Sequence, residues 1–159
     1  MSDWPVVPSF GEILAEHIGS VPQEGQPAFL AGLERSAAAR YRGWAEELPD
    51  HASVLNGCAA REDEIAGLVA DLFPISAEAQ AAVDAALPPA IATYYQVFSA
   101  HPVLHQLFLQ SEAELQGGQA WVGIASQVED AHTREILARC TALEEESSRA
   151  VKDLLAKIA

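Results

Sequence analysis

The sequence predicts an all-α protein built from two helical hairpins joined by a helical crossover. Three observations carry that prediction. Half of the 159 residues are apolar, alanine is abundant and β-branched runs are few, a composition that favours helices. Four segments place apolar or small residues alternately three and four positions apart, the inward stripe of a bundled helix. Residues 56–72 recur, in altered form, at 138–154. A chain of this length is expected to form one domain around a single core.

Residues 1–26 read as an N-terminal arm. Pro5, Pro8, Pro22 and Pro27 flank a short amphipathic piece in which Phe10, Ile13, Leu14, His17 and Ile18 recur at helical spacing. The first hairpin is expected over 27–73. Pro27 suits a first helical turn, Pro49 ends that helix near Leu48, and Asp50 is placed to cap a second helix running to about Phe73, before Pro74. Residues 74–102 carry prolines at 74, 88, 89 and 102 and read as a crossover of helical pieces between them, with Ser76 at a helix start. The second hairpin occupies 103–159, as helices from Val103 to about Gln127 and from about Val128 to Lys157.

The repeat fixes which residues correspond. An offset of 82 aligns Cys58 with Cys140, Ala60 with Ala142, Glu62 with Glu144, Glu64 with Glu146, Val69 with Val151, Asp71 with Asp153 and Leu72 with Leu154. The chain has only two cysteines, so their match is informative. An offset of 80 aligns Glu34 with Glu114, Gly43 with Gly123, Ala45 with Ala125 and Tyr41 with Trp121. The inward stripes are then Leu30, Glu34, Ala37, Tyr41, Trp44 and Leu48; Leu55, Cys58, Glu62, Ile65, Val69 and Leu72; Leu107, Gln110, Glu114, Gly117, Trp121 and Ile124; and Leu137, Cys140, Glu144, Ser147, Val151 and Leu154.

Each stripe therefore carries one glutamate, with Ala37, Gly117 and Ser147 leaving space one turn away. Four ionised carboxylates do not share a dry core, because desolvation and mutual repulsion each cost several kcal/mol. Cations, shared protons or arginines would neutralise them. Arg35, Arg40, Arg61 and Arg149 are near in sequence, but none lies on a stripe.

With these residues the chain resembles the ferritin-like superfamily, and rubrerythrin-type members most closely. "FLAGLERSAAARYRGWAEEL" is similar to a rubrerythrin first helix and "AAREDEIAGLV" to a second. The resemblance spans 27–157 and implies an up-down-down-up four-helix bundle of two pseudo-repeated hairpins. Each hairpin of that family supplies a Glu from its first helix and a Glu-x-x-His from its second, around two metal ions. The implied metal ligands are Glu34, Glu62, Glu114 and Glu144, with Fe or Mn as the cofactor. Where the family has its two histidines, this chain has Ile65 and Ser147. The expectation is thus a ferritin-like protein with a carboxylate-only, degenerate metal site. A metal-free binding or structural bundle is the alternative, ahead of an active di-iron oxidoreductase. The resemblance also implies a homodimer, for which the apolar arm offers a contact.

Other features are weaker. "EDAH" supplies Glu129-x-x-His132 at the start of the last helix, without a partner motif in the first hairpin. His101 and His105 lie four apart, with Pro102 between them. Cys58 and Cys140 read as small core residues rather than a redox pair. Trp44 and Trp121 read as core fillers. A net charge of −14, from 23 acidic and 9 basic residues, disfavours nucleic acid and anionic membrane as partners. No signal-peptide pattern opens the chain and no apolar run approaches a membrane span, so a cytoplasmic location is expected.

Overall fold

The computed structural model describes residues 3–159. These form six α-helices and no strand: α1 Phe10–Ile18, α2 Gln26–Glu47, α3 Ala52–Leu72, α4 Ala77–Ser99, α5 Val103–Ala125 and α6 Ala131–Ile158. Three of the helix starts are capped by a side-chain oxygen. Ser9 Oγ accepts from the Glu12 N–H at 3.3 Å, Ser76 Oγ from Ala79 at 3.2 Å, and an Asp130 carboxylate oxygen from Thr133 at 2.8 Å.

Two local expectations are corrected. Asp50 does not cap α3. It lies in a 3₁₀ turn, Pro49–His51, that leads directly into the helix, and His51 takes the cap position without a side-chain bond. The N–H of His51 instead bonds to the Leu48 carbonyl at 2.9 Å. The crossover is one continuous helix rather than pieces between prolines. Pro88 and Pro89 sit inside α4, and the carbonyls that lose their helical donors belong to Asp84 and Ala85. All four residues are exposed, so water can satisfy what the prolines leave open. The opposite face of α4, Ala79, Val83, Ala86, Ala90, Tyr94 and Phe98, remains an unbroken buried stripe.

Cross-helix pairs fix direction. Arg40 meets Gln110 while Trp44 meets Gln106, so α2 and α5 run antiparallel. Arg61 meets Ser147 and Glu64 meets Arg139, so α3 and α6 do too. Helix α2 packs along α3, α5 along α6 and α3 against α6, while α4 lies on α2. The core divides along the helices. One apolar cluster holds Tyr41, Trp44, Leu55, Cys58, Leu107 and Val151; another holds Ile65, Val69, Trp121, Leu137, Cys140 and Leu143. Both cysteines are buried and free, as their core reading implies. No helix among the described residues is long and apolar enough to cross a membrane.

The N-terminal arm packs on the body of the protein. Trp4 stacks on Phe108, with ring centroids 4.9 Å apart. Gln116 of α5 clamps the start of α1: its side-chain oxygen accepts from the Phe10 N–H at 2.9 Å, and its amide nitrogen donates to the Pro8 carbonyl at 3.0 Å. Replacing Gln116 with Ala strands two partly buried backbone groups, a loss of about 1–3 kcal/mol. Chemical denaturation should report that loss, and amide exchange should be faster at residues 8–18 than in α2 or α5.

Candidate metal centre

The four glutamates on the predicted stripes come together between the two apolar clusters. Glu62, Glu114 and Glu144 are buried, at 0%, 2% and 1% exposure, and Glu34 is partly buried. One carboxylate oxygen from each of Glu34, Glu62 and Glu144 lies within 4.8 Å of the others. Oxygen ligands sit about 2.0–2.6 Å from a hard divalent cation, so oxygens sharing one ion are at most about twice that apart. The observed spacing meets this limit.

The four carboxyls are held differently. Glu114 accepts the Tyr41 hydroxyl at 2.5 Å and the Gln110 amide at 2.8 Å, both on Oε1. Glu144 accepts the Trp121 indole N–H at 3.0 Å. Glu62 has no such partner: both of its oxygens are buried without a hydrogen-bond donor. The groups facing it are other carboxyls, with those of Glu114 and Glu34 acting on it most strongly. Space for Glu144 comes from Gly117, where a Cβ atom would stand 2.7 Å from its Oε1.

Arg40 is the cation that stripe analysis passes over. It is 7% exposed, and its guanidinium lies 4.5 Å from the Phe98 ring centroid. One terminal nitrogen donates to Ser36 at 3.3 Å and the other to Gln110 at 3.0 Å. Because Gln110 in turn donates to Glu114, the amide relays the arginine charge to that carboxylate. Gln110 was visible as a polar residue on an inward stripe. Arg40 lies off the inward stripe, and its burial comes from α4, whose Phe98 ring it faces, together with Gln110 of α5. Trp121, expected as a core filler, is also a donor to the acidic cluster.

The two positions where the resemblance implies histidine are otherwise occupied. Ile65 is fully buried in the second apolar cluster. Ser147 accepts from Arg61 Nε at 2.9 Å, and the same guanidinium reaches Cys58 Sγ at 3.2 Å. The Glu129–His132 pair does not form a site: Asp130 caps α6, which leaves Glu129 before the helix, and both residues are exposed. His101 and His105 have ring centroids 6.4 Å apart, and His105 leans on Trp4 instead.

A cavity of about 110 Å³ adjoins the cluster between α1, α2 and α5. Phe10, Leu14, Leu30, Leu33 and Trp121 form much of its wall, and Glu34, Glu114 and Glu144 reach it at one side. No known protein family, curated protein or solved structure matches this chain.

Burial dominates the electrostatics. It raises Glu34 to about 7, assisted by the charge of Glu114. Burial also raises Glu62 and Glu144 well above the usual carboxylate range, with repulsion from neighbouring glutamates adding to it. The folded protein therefore binds more protons than the unfolded chain between about pH 4.5 and 7. Raised carboxyl pKa values contribute stability that is complete below the unfolded pKa and is lost as pH rises through the folded one. Chelator-treated protein should melt at a higher temperature near pH 5 than near pH 8, and Glu62→Gln should flatten that dependence.

A second prediction concerns space. Gly117→Ala puts a methyl group where the Glu144 carboxyl lies, so that flexible carboxyl must shift beside the cavity. The helix-propensity gain of about 1 kcal/mol offsets the cost and leaves a small net change in stability. Denaturant unfolding measures that change. A change in tryptophan emission should accompany it as the Trp121–Glu144 bond is displaced.

Proposed function

We propose that the chain is a ferritin-like protein whose core binds a single divalent cation through Glu34, Glu62 and Glu144. The observation that carries this reading is Glu62: a fully buried carboxyl with two donorless oxygens, inside a three-carboxylate group of ligand spacing. A buried anion of this kind requires a cation or a proton. An all-oxygen donor set suits Mn(II), Mg(II) or Fe(II) rather than copper or zinc. Glu114, already held by Tyr41 and Gln110, stands beside the ion as a carboxyl with one oxygen engaged.

The ferritin-like assignment is supported by several features together. The inferred directions of α2, α3, α5 and α6 correspond to an up-down-down-up arrangement. Helix α4 spans the crossover, and glutamates from α2, α3, α5 and α6 meet in one cluster. A bound divalent ion would supply Lewis acidity or, for Fe and Mn, a redox centre. The chain's own contribution is to hold the carboxyls in place, to keep Trp121 and Tyr41 donating into the site and to shield it with apolar residues on both sides.

A metal-free reading has one observation in its favour. Ile65 packs in the core and Ser147 is engaged by Arg61, so neither histidine position offers a ligand. In that case the cluster persists through shared protons, and the protein acts as a binding or structural bundle.

Calorimetric titration of chelator-treated protein with Mn(II) at pH 7.5 separates the two. Cation binding predicts one ion per chain, proton release and a higher melting temperature. Glu62→Gln and Glu144→Gln keep the side-chain shape and should weaken Mn(II) by about ten-fold or more, or about 1.4 kcal/mol. Absence of saturable binding, or equal binding by folded variants, would leave the proton-shared bundle as the correct reading.

A further inference from the structure

The cavity shares Glu34 and Glu144 with the cation site at one side, and the size and lining of the rest of it select a guest. We infer that it is a binding site for a small, mostly apolar molecule bearing one hydroxyl group, of about the size of phenol. This deepens the reading above by naming a substrate class. A role as substrate rests on the cation site, whereas occupancy of the cavity does not.

Three features define the guest. The first is volume: at about 110 Å³ the space is well below the roughly 300–1,000 Å³ of pockets for drug-sized ligands. The engineered cavity of about 150 Å³ that accepts benzene is somewhat larger. This one is open at one side, however, so a ring with one substituent can extend toward solvent. The second is the wall, in which Phe10, Leu14, Leu30, Leu33 and Trp121 present apolar surface that water solvates poorly.

The third is the polar side, where Glu34, Glu114 and Glu144 reach the cavity alongside Arg40 and Gln110. The two terminal nitrogens of Arg40 are already engaged with Ser36 and Gln110. The Arg40 Nε is buried without a partner, yet a guest carboxylate would face three carboxyls against that one guanidinium. A hydroxyl group can instead donate to a carboxyl oxygen, and Glu34, the least buried of the three, is the accessible acceptor. The chemistry thus favours a neutral donor-bearing guest over an organic anion.

The wall also identifies the variants for a test. Ala120 lines the cavity and is exposed, so Ala120→Phe can block it without overpacking the core. Ala113 lines it from α5 and is partly buried, so Ala113→Leu fills it from within. Chelator-treated protein is titrated with phenol and, separately, with benzoate, using calorimetry and ligand-observed NMR.

The inference expects saturable phenol binding, with benzoate weaker by about ten-fold or more and both variants weakening phenol to a similar degree. No saturable phenol binding, preference for benzoate, or unchanged phenol binding in both folded variants would overturn it. Mn(II) titration of the same samples keeps the two readings apart. Loss of phenol with Mn(II) retained removes the guest alone. Phenol retained without Mn(II) binding supports the guest site and removes the cation.

Discussion

Much of this structure follows from one constraint: buried carboxyls must be neutralised where water cannot do it. An ionised carboxylate costs several kcal/mol to bury, and like charges nearby add to that cost. The core answers at four positions in different ways. Glu114 receives a phenol hydroxyl and an amide, with Arg40 behind the amide. Glu144 receives an indole N–H. Glu34 sits next to a cavity. Glu62 receives nothing and so defines where a cation or proton must be.

The surrounding architecture can be read as support for that layer. Apolar clusters on both sides exclude water and hold the helices in register. Gly117 removes a Cβ that would displace a carboxyl. Tyr41 and Trp121 each donate to a glutamate on another helix, Tyr41 to Glu114 and Trp121 to Glu144. Surface ion pairs such as Arg139–Glu64 add little, because exposed pairs contribute about 0–1 kcal/mol each.

The same constraint bears on the proposed chemistry. With Ile65 and Ser147 at the histidine positions, the donors around the cluster are oxygens, and their preference is for hard cations. Enclosure by α1, clamped through Gln116, makes the N-terminal arm part of the site rather than an appendage. Removing that arm would open the cavity as well as shorten the protein.

Helix periodicity was legible in the chain because the spacing of buried side chains repeats with the helix turn. It determined the all-α class, the approximate limits of the four long helices and the inward placement of Glu34, Glu62, Glu114 and Glu144. What lies beyond a helix's own period was decided in three dimensions. Pro88 and Pro89 read as breaks, yet α4 continues because the carbonyls they leave unpaired face solvent. Arg40 lies off every stripe, and its burial depends on α4 together with Gln110 of α5. Likewise, only the meeting of α2, α3, α5 and α6 determined that Tyr41 and Gln110 hold Glu114 while Glu62 is left without a donor. Hydrogen-bond partners distant in sequence are chosen by packing, and packing has no local period to read.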